Sequence, residues 1–199
     1  MSRDSIHKIE VESYAILRSQ LDTSNMPHWT RALTERVIHA SADFDYANDL
    51  ICIEEDLARA AAALREGAPI VTDVQMVAAG ITSRSVTCLV QEAETAELAH
   101  QMGLTRSAAA IHRAFDKVGS GAIWVVGCAP TALFEIVKLN VAPALVIGLP
   151  VGFVGAAESK ARLRESGLPQ VSNVSNKGGS AVAAAALNAL LYADGSDDI

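Results

Sequence analysis

Two stretches decide the fold: Ala122-Ile123-Trp124-Val125-Val126-Gly127-Cys128-Ala129-Pro130-Thr131-Ala132-Leu133, and Ala144-Leu145-Val146-Ile147-Gly148-Leu149-Pro150-Val151-Gly152-Phe153-Val154-Gly155-Ala156-Ala157-Glu158-Ser159-Lys160. Each begins with an apolar run that does not alternate, the mark of a strand covered on both faces. Each then turns through Gly and Pro into helix-forming residues, and Pro is at home in a first helical turn. A strand, turn and helix repeated in this way predict a parallel sheet flanked by helices, with ligands bound where the strands end.

Outward from this centre the same alternation continues. Pro69-Ile70-Val71-Thr72 precedes a helix over Asp73 to Ala79, and Val86 to Val90 precedes helices near 92–102 and 105–118. Downstream, helices are expected over Thr131 to Leu139 and Ala156 to Ser166, then a strand at Gln170 to Val174 and a last helix from Gly179 to Tyr192. Upstream, Leu50-Ile51-Cys52-Ile53 is a short apolar run, and Glu54-Glu55-Asp56 opens an alanine-rich helix stopped by Gly67, its acids reading as a solvated first turn. Residues 1–44 read as two helices, one placing Ile6, Ile9, Tyr14, Leu17 and Leu21 on a face and one, opened by Pro27, repeating Trp29, Leu33 and Val37. The expectation is a three-layer α/β/α domain with a mostly parallel sheet of about five strands, over residues 1–199, with a polar tail at 194–199.

Length and composition agree. At 199 residues, half of them apolar and a fifth charged, the chain suits one domain with a sizeable core. Residues 1–100 carry 8 basic and 16 acidic side chains and residues 101–199 carry 8 and 7, so neither half offers the basic face that nucleic acid needs. Three widely spaced cysteines, Cys52, Cys88 and Cys128, form neither a disulfide framework nor a zinc pattern. No charge occurs over 139–157, but Asn140, Pro143, Pro150 and three glycines read as strand, turn and loop and not as a membrane span. With no basic-then-apolar leader at Met1 to Lys8, the cytoplasm is the expected location.

Familiar catalytic and metal-binding signatures are missing, and no metal or cofactor is predicted. What remains are three strand-to-helix junctions, around Gly127-Cys128 with Thr131, Gly152-Phe153, and Lys177-Gly178-Gly179-Ser180. Unpaired N–H groups at helix starts, approached past glycines, can hold carboxylates or phosphates. His39 is the best candidate acid or base. It projects away from the Trp29/Leu33/Val37 stripe near a helix end, and imidazole titrates near neutrality. Arg106, between Thr105 and Ser107, is a cation in a first helical turn, against the dipole, as a ligand-binding residue can be.

These stretches resemble the precorrin-8X methylmutase (precorrin isomerase) family. The likeness is carried by Val37-Ile38-His39-Ala40-Ser41, Gly67-Ala68-Pro69-Ile70-Val71-Thr72-Asp73 with Met76-Val77-Ala78-Ala79-Gly80-Ile81, Thr105-Arg106-Ser107-Ala108-Ala109, the parts of the two opening stretches from Gly127 to Leu133 and from Leu149 to Lys160, and Lys177-Gly178-Gly179-Ser180. The resemblance implies an isomerase moving the C-11 methyl group of a tetrapyrrole to C-12, on a metal-free or cobalt-containing substrate, and a homodimer. It makes His39 the proton donor and Arg106 a site residue. There are two departures from the pattern: Cys128 stands where Asn is expected, and Ser175-Asn176 where Gly-Arg is usual.

A methyl shift needs no redox cofactor, so one positioned acid suffices. The polycarboxylate substrate would then be held by the three junctions, by Arg106 with Thr105 and Ser107, and by Lys160 and Lys177, with Met76 and Phe153 against the macrocycle. Two other readings share the sequence: a non-catalytic corrinoid carrier, and an unrelated α/β enzyme that binds a phosphorylated metabolite at the glycine junctions.

Overall fold

The computed structural model describes residues 8–193. Five strands, β1 (Leu50–Cys52), β2 (Ile70–Thr72), β3 (Ile123–Val126), β4 (Leu145–Gly148) and β5 (Gln170–Asn173), form one sheet in the order β1-β5-β4-β3-β2. From β2 to β5 all neighbours are parallel; only β1 runs antiparallel, at the edge beside β5. Every residue of the four parallel strands is buried, which is why β3 and β4 do not alternate; β5 buries the polar Gln170, Ser172 and Asn173 as well.

The sheet's two faces divide its side chains by parity. Ile70, Ile123, Val125, Leu145, Ile147 and Val171 face one core, shared with α2 (His28–Ser41), α4 (Glu54–Arg65) and α10 (Ser180–Tyr192). Val71, Trp124, Val126 and Val146 face the other, shared with α7 (Arg106–Val118), α8 (Pro130–Leu139) and α9 (Ala156–Glu165). This is the expected three-layer arrangement. Four shorter or peripheral helices complete it: α1 (Lys8–Gln20), α3 (Tyr46–Asp49), α5 (Gln75–Ala79) and α6 (Ala93–Met102). Because β2, β3, β4 and β5 follow one another in space as in sequence, all their C-terminal turns open along one edge.

Three expectations change. The run Val86 to Val90 is not a strand: Thr87 alone bridges to Val71, while Leu89 is buried beneath helices, so the apolar signal came from core filling. Only Leu17 of the first helix's apolar face is buried; Ile9 is exposed, and Ile6 lies outside the described residues, as does the 194–199 tail. Glu54 is not idle in solvent. Its carboxylate accepts the Trp29 and Thr30 N–H groups at 2.8 Å each and the Thr30 hydroxyl at 2.7 Å, capping α2, whose own N-cap is Pro27 with no side-chain acceptor.

Candidate functional site

His39 sits in the last turn of α2, half-buried, on the side away from the core. Its partners come from α1. The Ser13 hydroxyl lies 2.9 Å from Nδ1, and the Tyr14 ring stacks on the imidazole at 5.0 Å with planes 9° apart. Among the described residues nothing bonds Nε2, so this nitrogen is left for a ligand. With Ser13 donating to Nδ1, neutral imidazole carries its proton on Nε2 and presents it outward; with Ser13 accepting, Nδ1 carries the proton and Nε2 presents one only in the imidazolium form.

Polar ties, not an apolar seam, hold α1 in place. Buried Glu35 receives Arg18 through two nitrogens, at 3.1 Å and 2.7 Å, Arg31 at 3.1 Å and the Thr23 hydroxyl at 2.5 Å. Burial alone would raise its pKa, but these donors outweigh it and hold the carboxyl below its ordinary value. One turn before His39, Arg36 pairs with Glu10 at 2.5 Å, reaches the Tyr14 hydroxyl at 3.4 Å and lies over the Tyr192 ring at 5.8 Å. Burial raises the Tyr14 pKa against Arg36's pull, so the ring that stacks on His39 stays neutral.

The first junction differs from expectation. The N–H groups of Gly127, Cys128 and Ala129, read from sequence as an anion site, already point at the Asp73 carboxylate, at 3.1, 2.8 and 2.8 Å. Asp73 is wholly buried, and that burial raises its pKa despite the three donors. Gly127 is needed for packing: a Cβ there would come within 2.8 Å of Val77 Cγ2 and 2.9 Å of Ser180 Cα. Cys128 Sγ lies 3.0 Å from Ser180 Oγ, tying the first junction to the third. Nearby, Thr131 and Thr105 meet hydroxyl to hydroxyl at 2.7 Å, and Thr105 caps α7 by accepting the Ala108 N–H. Arg106 is exposed and makes no hydrogen bond or ion pair with any described residue, while Ser107 is half-buried beside it.

The second and third junctions are knitted together. Gly152 N–H donates to the Asn176 carbonyl at 3.2 Å and Gly179 N–H to the Leu149 carbonyl at 2.9 Å. Lys177 is not an open cation: its ammonium pairs with Asp43 at 2.7 Å and Asp45 at 2.5 Å, in the turn that follows the His39 helix. That pairing raises the Lys177 pKa and lowers that of Asp43. Lys160 is fully buried and cannot meet a substrate carboxylate from the surface. Phe153 is 94% exposed and Met76 71%, apolar surface standing free at this edge.

The structure thus gathers Gly127, Cys128, Thr131, Gly152, Phe153, Lys177, Gly178, Gly179 and Ser180 at one sheet edge, with Thr105 beside Thr131. No hydrogen bond or ring contact among the described residues joins His39 to them; the link is indirect, through Lys177 and the Asp43/Asp45 turn. A cavity of about 510 Å³ lined by Leu64, Gly67–Ile70 and Ser83–Thr87 lies at the other end of β2 and contains no candidate site residue. No helix of the described residues is long and apolar enough to cross a membrane. Sequence reasoning missed Ser13, Tyr14, Arg36 and Asp73. Only Asp73 left a signal, an acid directly after a fully apolar strand.

Comparison with known proteins identifies the family and the fold. The family model described as precorrin-8X methylmutase matches residues 8–193. The precorrin-8X methylmutase of Pseudomonas aeruginosa is 41% identical over 191 residues, 90% of this chain and 91% of that protein. The cobalt-precorrin-8 methylmutase of Methanocaldococcus jannaschii is 40% identical over 163 residues, 80% of this chain and 77% of that one. Among solved structures, the Thermus thermophilus precorrin-8x methyl mutase superposes with a TM-score of 0.84 at 32% identity, covering 93% of this chain and 96% of that one. The match spans both helical layers, the sheet and the α2 segment that carries His39, and the chain belongs to the precorrin-8X methylmutase family, isomerases of cobalamin biosynthesis.

Proposed function

We propose that this chain moves the C-11 methyl group of precorrin-8X, or of its cobalt-containing counterpart, to C-12, with His39 as proton donor and a homodimer as the working form. The observation that carries the reading is the clamped imidazole: Ser13 holds Nδ1, Tyr14 fixes the ring plane, and Nε2 is left unbonded. Protonating the conjugated macrocycle makes it electron-poor and lowers the barrier to migration. Substrate and product are isomers, so the proton given by Nε2 returns to it when the shift is complete. No other atom enters or leaves.

Binding follows from the sheet edge. Arg106, without an acidic partner among the described residues, is the cation best disposed toward a substrate carboxylate, and the Thr105/Thr131 hydroxyl pair stands next to it. Phe153 and Met76 offer apolar contact to the ring system. Lys177 can take part only by exchanging Asp43 or Asp45 for a substrate carboxylate.

Incubating the purified protein separately with metal-free and cobalt-containing precorrin-8 and following the visible spectrum tests the proposal. Conversion of at least one to its hydrogenobyrinate-type product is expected. If neither reacts while added hydrogenobyrinate still shifts its spectrum, the chain is a corrinoid carrier. Ser13→Ala should lower kcat on the order of tenfold with little change in KM, since one neutral hydrogen bond is worth about 1 kcal/mol and this one orients the donor ring. Steady-state kinetics on the variant check it, and wild-type kcat would free His39 from Ser13.

A further inference from the structure

We infer that Lys160 is a positioning residue for the candidate substrate edge, an internal cation around which backbone 173–179 is folded. The inference rests on reading the Lys177-Gly178-Gly179-Ser180 junction as a substrate contact.

Lys160 lies on α9 with its side chain fully buried, a place lysine seldom occupies without compensation. Its ammonium has three donors, and all three go to one short segment: Asn173 Oδ1 at 2.8 Å, the Ser175 carbonyl at 2.5 Å and the Lys177 carbonyl at 2.8 Å. Two successive odd-numbered carbonyls therefore turn inward toward a charge instead of outward toward water. The chain between them is left to present Asn176 and Lys177 at the edge.

From the opposite side, Asp49 accepts the N–H groups of Val174 at 3.0 Å and Ser175 at 2.9 Å, the Ser175 hydroxyl at 2.6 Å and Asn173 Nδ2 at 2.7 Å. Asn173 is thus the bridge between a carboxylate and an ammonium that do not touch. Arg164, one turn further along α9, donates to the Asn173 carbonyl at 2.9 Å and adds positive charge. Burial draws the Lys160 pKa down to about 8, Asp49 opposing and Arg164 assisting, so at neutral pH the ammonium is the prevailing form.

What this cage fixes is the approach to the glycines. Gly178 follows directly after the captured Lys177 carbonyl, and its Cα must seat against the Leu149 and Pro150 carbonyls. Gly179 then donates to Leu149, and Ser180 starts α10 beside Cys128. The α9 core is held separately by Leu163 and Ala156, so loss of the ammonium falls on the loop and on Asn173 at the end of β5, and not on β3 and β4.

The test is Lys160→Met, which keeps the volume and removes the charge. The expected result is a rise in KM for precorrin-8 of about tenfold or more with kcat within about threefold, and faster amide exchange confined to 173–180 while β3 and β4 keep their protection. Unchanged KM, a loss in kcat alone, or unchanged exchange overturns the inference. If this variant does not fold, the wild-type protein still decides. Of its five lysines, one should give a slowly exchanging ¹⁵N ammonium signal that moves when hydrogenobyrinate is added. No protected signal, or one indifferent to that compound, overturns it. If wild-type protein neither converts precorrin-8 nor binds hydrogenobyrinate, the functional reading fails by itself, and the exchange contrast alone judges Lys160.

Discussion

His39→Ala is expected to slow conversion of precorrin-8 by about 10²–10⁴-fold, the range for removing a positioned general acid, with little change in KM. The fold should survive. His39 faces α1 and not the core, and alanine is a better helix former than histidine. The loss on the α1 side is one hydrogen bond with Ser13 and one stacking contact with Tyr14, while the Arg18–Glu35 and Arg36–Glu10 pairs still hold the helix. Single-turnover absorbance measurements beside a thermal melt separate the two effects. A variant with an unshifted melt that retained more than about a tenth of wild-type turnover would move proton donation to another group.

Gly178→Ala should be the most damaging substitution for stability. The residue has φ of +150°, and a Cβ built on it would lie 2.2 Å from the Leu149 carbonyl oxygen and 2.9 Å from the Pro150 oxygen. These are backbone atoms of the neighbouring junction, so no side chain can swing aside. Strain of this kind together with the overlap costs about 3 kcal/mol or more, and for a chain of this length that lowers Tm by roughly 10 °C. Substrate affinity should fall with it, because relieving the clash pulls the third junction away from the second. Calorimetry checks the first part; an unchanged Tm would mean that the two junctions are not packed against each other in solution. At Gly152, where a Cβ meets nothing within 4 Å, the same substitution carries only the backbone strain of φ +146°.

The architecture was readable because burial leaves a direct trace in residue choice. Strands covered on both faces tend to be apolar, as in Ile123 to Val126 and Leu145 to Ile147, and Pro130 marks its helix start, whereas buried β5 carries Gln170, Ser172 and Asn173. The Val86 to Val90 misreading shows the limit of that trace, since Leu89 is apolar to fill a core and not to pair with a strand. The candidate site was legible where backbone geometry demands one residue type, as at Gly178. It was not legible where function depends on who meets whom. Nothing local says that Ser13 will find a ring 26 positions away, that Lys177 will be neutralised by acids more than 130 positions earlier, or that Lys160 will be buried.

Asp73 stoppers the amide nest at the end of β3 with an oxyanion of the protein's own. Inside a cell, where small inorganic and nucleotide anions abound, an open nest of this kind would be jammed by whatever arrived first. Filling it from within leaves this edge deaf to such traffic, and on the proposed function recognition of the substrate's carboxylates would fall to the groups around the nest, Arg106 among them.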